Sequence, residues 1–517
     1  LLLAALVIAF FAYTPWPRGD DYRFHISVWT ETAGRIQHLE IPRWNAEQAF
    51  GLGEPTYLFY PPLSVYLGGL LTLLFGHYWA PPLLCGIAMV AAALSMRLCA
   101  SLWLEPVPAW IVSLLYCANP YFLLCCWIRG SYAEIFSAAL FPLLIYFTSV
   151  ESSPYRVIGC AVTYSLIWLS NLPSAVIISY AIAFYIATKY LADRNGSHAV
   201  QSIAGLCLGF GIAGFQILPS AIEMHLVQTD VAVHGFKLSN YFVLSGHKGL
   251  FRSLIFGVFA CLFLAGVARF FRQRRSWPII ALGVLSCLLV LRFSGPLWKL
   301  LPLLANVQFP YRWLFVLAFV SFLVAGCLLP THYRPRVRTW LLIGTFCIAL
   351  AQCALVAFWI ASSERLQANR DTPASAYTQI LVGEYLPRTA DIEMVRSLEN
   401  DRTPARADVS AAAVTIRRWE PELREFSISS DQPARVTLRL LNYPGWIATV
   451  NGQPRQIETE AGTGRAQLSV GPGTSLAQLR FSRTADRNVA LLVTFISLLL
   501  CAVLAYWIRL KERRKAI

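Results

Sequence analysis

Apolar runs of bilayer length recur along almost the whole chain, and they leave few folds open to it. In hydrocarbon every backbone N–H and C=O must find a partner within its own segment or in a closed barrel, so runs of this length fold as helices. They fall at 82–103, 107–126, 132–150, 157–171, 172–190, 200–219, 254–271, 277–292, 312–330, 339–360 and 488–508. The opening run, 1–13, is too short to cross alone at about 20 residues per span. Because the chain starts Leu1-Leu2-Leu3, we read that run as a first transmembrane helix clipped at its N-terminus. With 56% hydrophobic and only 14% charged residues, the chain lies far from a soluble protein, which carries about a quarter charged. The expected fold is a polytopic α-helical membrane protein of about 12–13 transmembrane helices.

The formal charge of +15 does not point to nucleic acid, because it is not gathered on a soluble face. It tracks topology instead. If the apolar piece 61–76 dips into the membrane and returns, the inside loops collect Arg97, Arg156, Lys189, Arg194, Arg272, Arg274, Arg275, Arg334, Arg336, Arg338 and the tail RLKERRK. That satisfies the positive-inside rule and puts both termini in the cytoplasm. If 61–76 crosses, Arg272, Arg274, Arg275 and the basic tail land outside. We therefore read it as a re-entrant or juxtamembrane helix bent at Pro61–Pro62. The thirteen cysteines lie in or beside apolar segments with no CxxC spacing for zinc, and read as small core hydrophobes.

On the same topology, the polar residues of interest gather outside the cytoplasm. Three parts are expected: a membrane domain 1–361 with its first extracytoplasmic loop 14–60, a soluble domain 362–487, and a last helix with a basic tail, 488–517. The second half of the soluble domain reads as strands: ARVTLRLL alternates, Asn442-Tyr-Pro-Gly marks a turn, and Asn451–Gly452 after WIATV is a hairpin signal. A small β-sandwich is expected, with no catalytic cluster of its own, acting as a lid that shapes the substrate or faces a partner.

The first loop carries the chemistry. GDDYRFHISVW opens with Asp20 and Asp21 just past the first apolar run, and two Trp–Arg neighbourhoods follow, with Arg43 beside Trp44. A carboxylate at a membrane surface can serve as general base on an acceptor hydroxyl. The bland alternative is a hydrated acid capping the helix that starts at Tyr22. Asp20, Asp21 and His25 can also hold a divalent cation, Mg or Mn, bridging to a phosphate. His25 lies one helical turn beyond Asp21, and its ordinary reading is a packed, hydrogen-bonded histidine.

Arg129 and Glu134 in WIRGSYAEIF stand at the outer ends of two apolar helices, where ionisable residues are expensive and functional by default. Arg129 either pairs with Glu134 or grips a phosphate with its planar fork. Arg312 in QFPYRW has the same choice between phosphate and interfacial anchor. Asn171 with Pro173 breaks two helices near the outer surface, and Glu223 and His225 follow Pro219. P-loop, zincin and α/β-hydrolase signatures are absent.

The run GDDYRFHISVWTETAGRIQHLEIPRWNAEQAFGLGEPTYLFYPPLSVYLGGLL resembles the opening of the bacterial 6-pyruvoyl-tetrahydropterin synthase-related membrane proteins, close to the YfhO-like proteins. IRGSYAEIFSAALFPL, QFPYRWL and GEYLP resemble further blocks of that family. Nothing resembles a soluble pterin enzyme. The plan is similar to that of GT-C glycosyltransferases, which implies a membrane enzyme of the bacterial inner membrane, working on its extracytoplasmic face. It would take sugar from a polyprenyl-phosphate donor and pass it to an envelope glycan, lipid or protein acceptor, with the lipid bilayer as its medium. The resemblance implies Asp21, and after it Asp20, as the catalytic acid position. We add His25, Arg43, Arg129, Glu134, Asn171 and Arg312 as candidates for substrate and lipid-phosphate binding. The chain departs from the pattern in two places: its loop acids are adjacent rather than DxD, and Ser170–Asn171 stands where the family has Thr-His. A flippase or transporter of lipid-linked glycans, or an envelope assembly scaffold, are the alternatives. A transporter needs polar residues deep in its helices, whereas here they cluster at the outer ends.

Overall fold

The computed structural model describes residues 1–13, 16–17, 21–150, 154–234, 238–245, 249–273, 276–330, 334–361, 367–368, 373 and 380–516. Helices form at every expected apolar run, but fewer are long enough to cross. Among the described residues eight are long and apolar enough, or up to nine if Gly196–Ile212 and Gly214–Leu226, bent by 69°, make one span. This lowers the expected count of about 12–13, and the reason lies in helix ends. The run 157–171 becomes Arg156–Trp168, only 13 residues, because Asn171 starts the next helix. Its Oδ1 accepts the Ser174 N–H at 3.0 Å and the Ser174 hydroxyl at 2.8 Å, an N-cap with Pro173 in the first turn. The run 277–292 likewise shortens to Trp277–Leu289.

Pro62–Phe75 has 14 residues, about 21 Å of helix against a hydrocarbon core of about 30 Å. It packs along the loop helix Tyr22–Gln37. Gly68 permits the close approach: a Cβ there would meet the Trp29 ring at 2.1 Å.

Beyond the membrane part, the chain folds into two antiparallel sheets. The strands are β3 (Ala405–Ala407), β4 (Ala413–Glu420), β5 (Leu423–Ser430), β6 (Ala434–Leu441), β7 (Trp446–Val450), β8 (Gln453–Arg455), β9 (Glu458–Thr459), β10 (Arg465–Val470) and β11 (Gly473–Phe481). A separate pair joins β1 (Trp16–Pro17) to β2 (Gln367–Ala368). One sheet runs β3-β6-β10-β9 and the other β4-β5-β11-β7-β8. The hairpin signal forms as read: Asn451 at φ 52° and Gly452 at φ 78° turn β7 into β8. Alternate residues of β11 are buried, and they share a core with Phe426, Val436 and Leu468.

The first loop does not stay with the membrane helices. Trp44, Ala49, Leu52 and Phe59 belong to the β-domain core, with Trp44 edge-on to Trp446 at 5.6 Å. The Leu441 N–H donates to the Leu52 carbonyl at 3.0 Å, and the Arg439 guanidinium reaches the Phe50 carbonyl. Arg43 is spent on the same seam. It chelates Glu422, with Nε at 2.8 Å from Oε2, and donates to the Phe481 carbonyl at 3.1 Å. Arg35 holds the other Glu422 oxygen at 2.7 Å.

Glu31 closes the turn after the loop helix by accepting the N–H groups of Ala46 at 2.9 Å and Glu47 at 3.2 Å. Burial, aided by Glu47 and opposed by those N–H groups and by Arg35, pushes its carboxyl from 4.5 up to about 7. Between those values the folded chain keeps a proton that the unfolded chain has released. This contribution to stability is therefore full below pH 4.5 and is lost as pH rises through about 7. Thermal unfolding across that window should show the slope in the wild type and a flatter profile in Glu31→Gln. Equal slopes would remove Glu31 as its source.

Candidate active site

Local sequence sets the first half of the site. Asn119 caps a new turn by accepting the Tyr121 and Phe122 N–H groups. The helix then widens to π geometry over Leu124–Arg129 and ends on Gly130 in the left-handed region at φ 66°. Tyr132–Ser149 starts two residues later, so Arg129 and Glu134 face each other across a tight turn. Arg129 Nη1 lies 2.8 Å from Glu134 Oε2.

The second half comes from far along the chain. Arg312, entering its helix behind Pro310, brings Nε to 3.2 Å from the same Glu134 oxygen. The Tyr121 hydroxyl donates to the other one. Glu134 is 1% exposed, Arg129 7% and Arg312 6%, so one buried carboxylate answers two buried guanidiniums. Phe309 lies under both cations, 4.9 Å from Arg312 and 5.6 Å from Arg129. Tyr311 sits between Arg129 at 5.5 Å and a third cation, Arg252, at 4.9 Å. Arg312 Nη1 is buried without a hydrogen-bond partner among the described residues. Such a donor costs about 1–3 kcal/mol or more when left unmet, and an anionic oxygen is the partner that suits it.

Asp21 borders this cluster. Its N–H donates to the Arg129 carbonyl at 3.0 Å, and its Oδ2 accepts the Ser131 hydroxyl at 3.1 Å. It occupies the cap position of the loop helix, yet its side chain makes no capping hydrogen bond. Asp21 is exposed, unlike the arginines beneath it. Asp20 lies outside the described residues.

His25 is 1% exposed, ringed by Trp29, Tyr60 and Tyr132 with centroids 5.1–5.7 Å away. Burial pushes it down to about 3, so the ring is neutral, with Nε2 3.3 Å from the Tyr60 hydroxyl. Among the described residues no three His, Cys, Asp or Glu side chains gather where a metal could sit.

The structure thus gathers Asp21, His25, Arg129, Glu134 and Arg312 from the expected residues. Asn171 serves as a cap and Arg43 as a clamp on the β domain. Sequence reading missed Tyr121, Ser131, Arg252, Tyr60 and Glu384. Glu384, in the GEYLP block, is raised by burial and by Asp21 and lowered by Arg312, which puts the edge of the β domain within electrostatic reach of the site. The GEYLP block, already singled out in the sequence, was the signal for it.

Residues 57–364 match the family model described as "6-pyruvoyl-tetrahydropterin synthase related domain; membrane protein", and the chain belongs to that family of membrane proteins. Among solved structures it is similar to ArnT from Cupriavidus metallidurans bound to undecaprenyl phosphate, at 16% identity and TM-score 0.45, covering 73% of this chain and 66% of that one. It is also similar to the Archaeoglobus fulgidus oligosaccharyltransferase tethered with an acceptor peptide, at 14% identity and TM-score 0.43, covering 75% of this chain and 59% of that one. A third is the arabinofuranosyltransferase AftD from Mycobacteria, at 15% identity and TM-score 0.46, covering 93% of this chain and 40% of that one. The chain therefore spans less than two thirds of the length of each. Comparison with curated proteins finds no match.

Proposed function

We propose that the protein is a membrane glycosyltransferase of the bacterial inner membrane, with both termini in the cytoplasm. It transfers a sugar from a polyprenyl-phosphate donor to an envelope glycan, lipid or protein on the extracytoplasmic face. The observation that carries this reading is an exposed carboxylate, Asp21, next to a buried excess of positive charge with an unmet donor on Arg312. That pairing is what transfer from a lipid phosphate needs. Asp21 takes the proton of the acceptor hydroxyl as the new C–O bond forms at the anomeric carbon. The bond from that carbon to the phosphate oxygen breaks, and the phosphate leaves with the extra negative charge. Arg312 and Arg129 stabilise that charge where it develops, in a site already organised around Glu134. Phe309 and Tyr311 keep water from the guanidinium faces. The donor class is supported by the family resemblance of the sequence blocks, and the acid–arginine arrangement supports the reaction type.

The test is transfer by the full chain in nanodiscs. Donors are undecaprenyl- and dolichol-phosphate sugars, the lipids named for the ArnT and Archaeoglobus structures, offered with extracts of envelope glycan, lipid and protein. Labelled product from any donor supports the reading. Donor binding without transfer, together with movement of the lipid-linked sugar across the bilayer, would replace it with a transporter.

A further inference from the structure

A cleft of about 540 Å³ lies between the outer end of the helix Gly214–Glu223 and the β domain. Its size is that of a small-molecule site, about 300–1,000 Å³, and its walls are tied together. The Arg388 N–H donates to the Leu226 carbonyl at 2.9 Å, and the Gln228 N–H to the Leu386 carbonyl at 3.0 Å. At the helix end, Glu223 accepts the hydroxyl of Tyr443 from the β domain at 2.8 Å and two nitrogens of Arg487, in the last helix, at 2.8 Å. The cleft is therefore built before anything enters it.

Its lining has one sign of charge. Arg388 and Arg455 line it beside His225, and among the described residues no Asp or Glu does. Arg388 is paired with Asp230 at 3.1 Å, whereas Arg455 makes no ion pair among the described residues. The rest combines apolar surface, with Ile447 55% exposed, and amide and hydroxyl edges. Asn442 is held in place by its bond to Thr459 at 2.8 Å. Apolar faces for the flat sides of sugar rings, amides for their hydroxyls and a guanidinium fork for an anionic group suit one ligand class. From Pro387 at the cleft the chain runs back through the buried Leu386 and Tyr385 to Glu384, whose carboxyl is raised in part by Asp21.

We propose that this cleft binds an anionic oligosaccharide, a short run of sugars carrying carboxylate or phosphate, and that this is the acceptor. The acceptor role rests on the transferase reading, but the binding does not, so the two are measured separately. The probes are tetragalacturonate, neutral maltotetraose and tetraglutamate, titrated onto the full chain in zwitterionic nanodiscs and again in nanodiscs containing anionic lipid. Tetragalacturonate should bind about tenfold or more tighter than maltotetraose, and Arg455→Ala should remove most of that difference. Asp21→Asn should leave it intact. Arg455 is exposed, so unchanged thermal unfolding of Arg455→Ala separates lost binding from lost fold. Competition by anionic lipid would assign the cleft to a headgroup and overturn the acceptor role. Three results would overturn the saccharide: no binding of tetragalacturonate, equal binding of the neutral sugar, or equal binding of tetraglutamate. Binding with no transfer to any sugar would refute the transferase reading and leave the cleft assignment standing.

Discussion

Asn in place of Asp21 should cut sugar transfer by about 10²–10⁴-fold, the usual contribution of a positioned general base, while donor affinity stays within about twofold, since no bond to the donor is removed. The substitution keeps the size of the side chain and an oxygen to accept the Ser131 hydroxyl, which lies 3.1 Å from Asp21 Oδ2. The backbone bond from residue 21 to the Arg129 carbonyl is unaffected. Because the Asp21 side chain caps no helix, the variant should unfold at the wild-type temperature. Transfer that survives in Asp21→Asn would move the base elsewhere, with Glu384 the next residue to test. A parallel titration with chelator decides the divalent-cation expectation: activity lost on chelation and restored by Mg or Mn would require ligands beyond the described residues.

Removing Glu134 should be costly for a different reason. Arg129 and Arg312 both rest on it, at 2.8 and 3.2 Å, with all three side chains almost fully buried. Taking away one partner of a buried ionic group leaves uncompensated charge in low dielectric, a loss of about 3–5 kcal/mol. Glu134→Ala should therefore lower the unfolding temperature in nanodiscs by several degrees. Undecaprenyl phosphate should restore part of the loss, because its phosphate supplies the missing negative charge. Destabilisation without rescue would make the cluster purely structural, and no destabilisation would mean that the arginines are satisfied without Glu134. Arg312→Lys is a finer probe. It keeps the charge but loses the planar fork, so donor affinity should fall while the fold persists.

Much of this protein was legible one segment at a time. Hydropathy located the helices, because a bilayer leaves a long apolar run no other way to satisfy its backbone. Asn451–Gly452 announced a hairpin and Asn171 a helix start, since both act through bonds within four residues. Arg129 and Glu134 could be paired on paper because a single turn joins their helices. Helix length was less legible. The breaks that shorten Arg156–Trp168 and Trp277–Leu289 are made by capping and packing, which a hydropathy window does not register.

The tertiary structure alone decided which polar residues meet. Arg312 reaches Glu134 across 178 positions, and Arg43 leaves for Glu422 across 379. The two arginines look alike in sequence, each followed by a Trp. One enters a helix that packs in the membrane core, and the other sits on a loop whose Trp44 is buried with the β-domain strands. The sequence by itself determined the helical membrane class, the strands of the β domain and the acids and arginines available at the helix ends, because these depend on local hydropathy and turn chemistry. Which of those charges share a site was decided by the packing of distant segments, since an ion pair between them carries no periodicity and forms only where buried surfaces bring the two chains together.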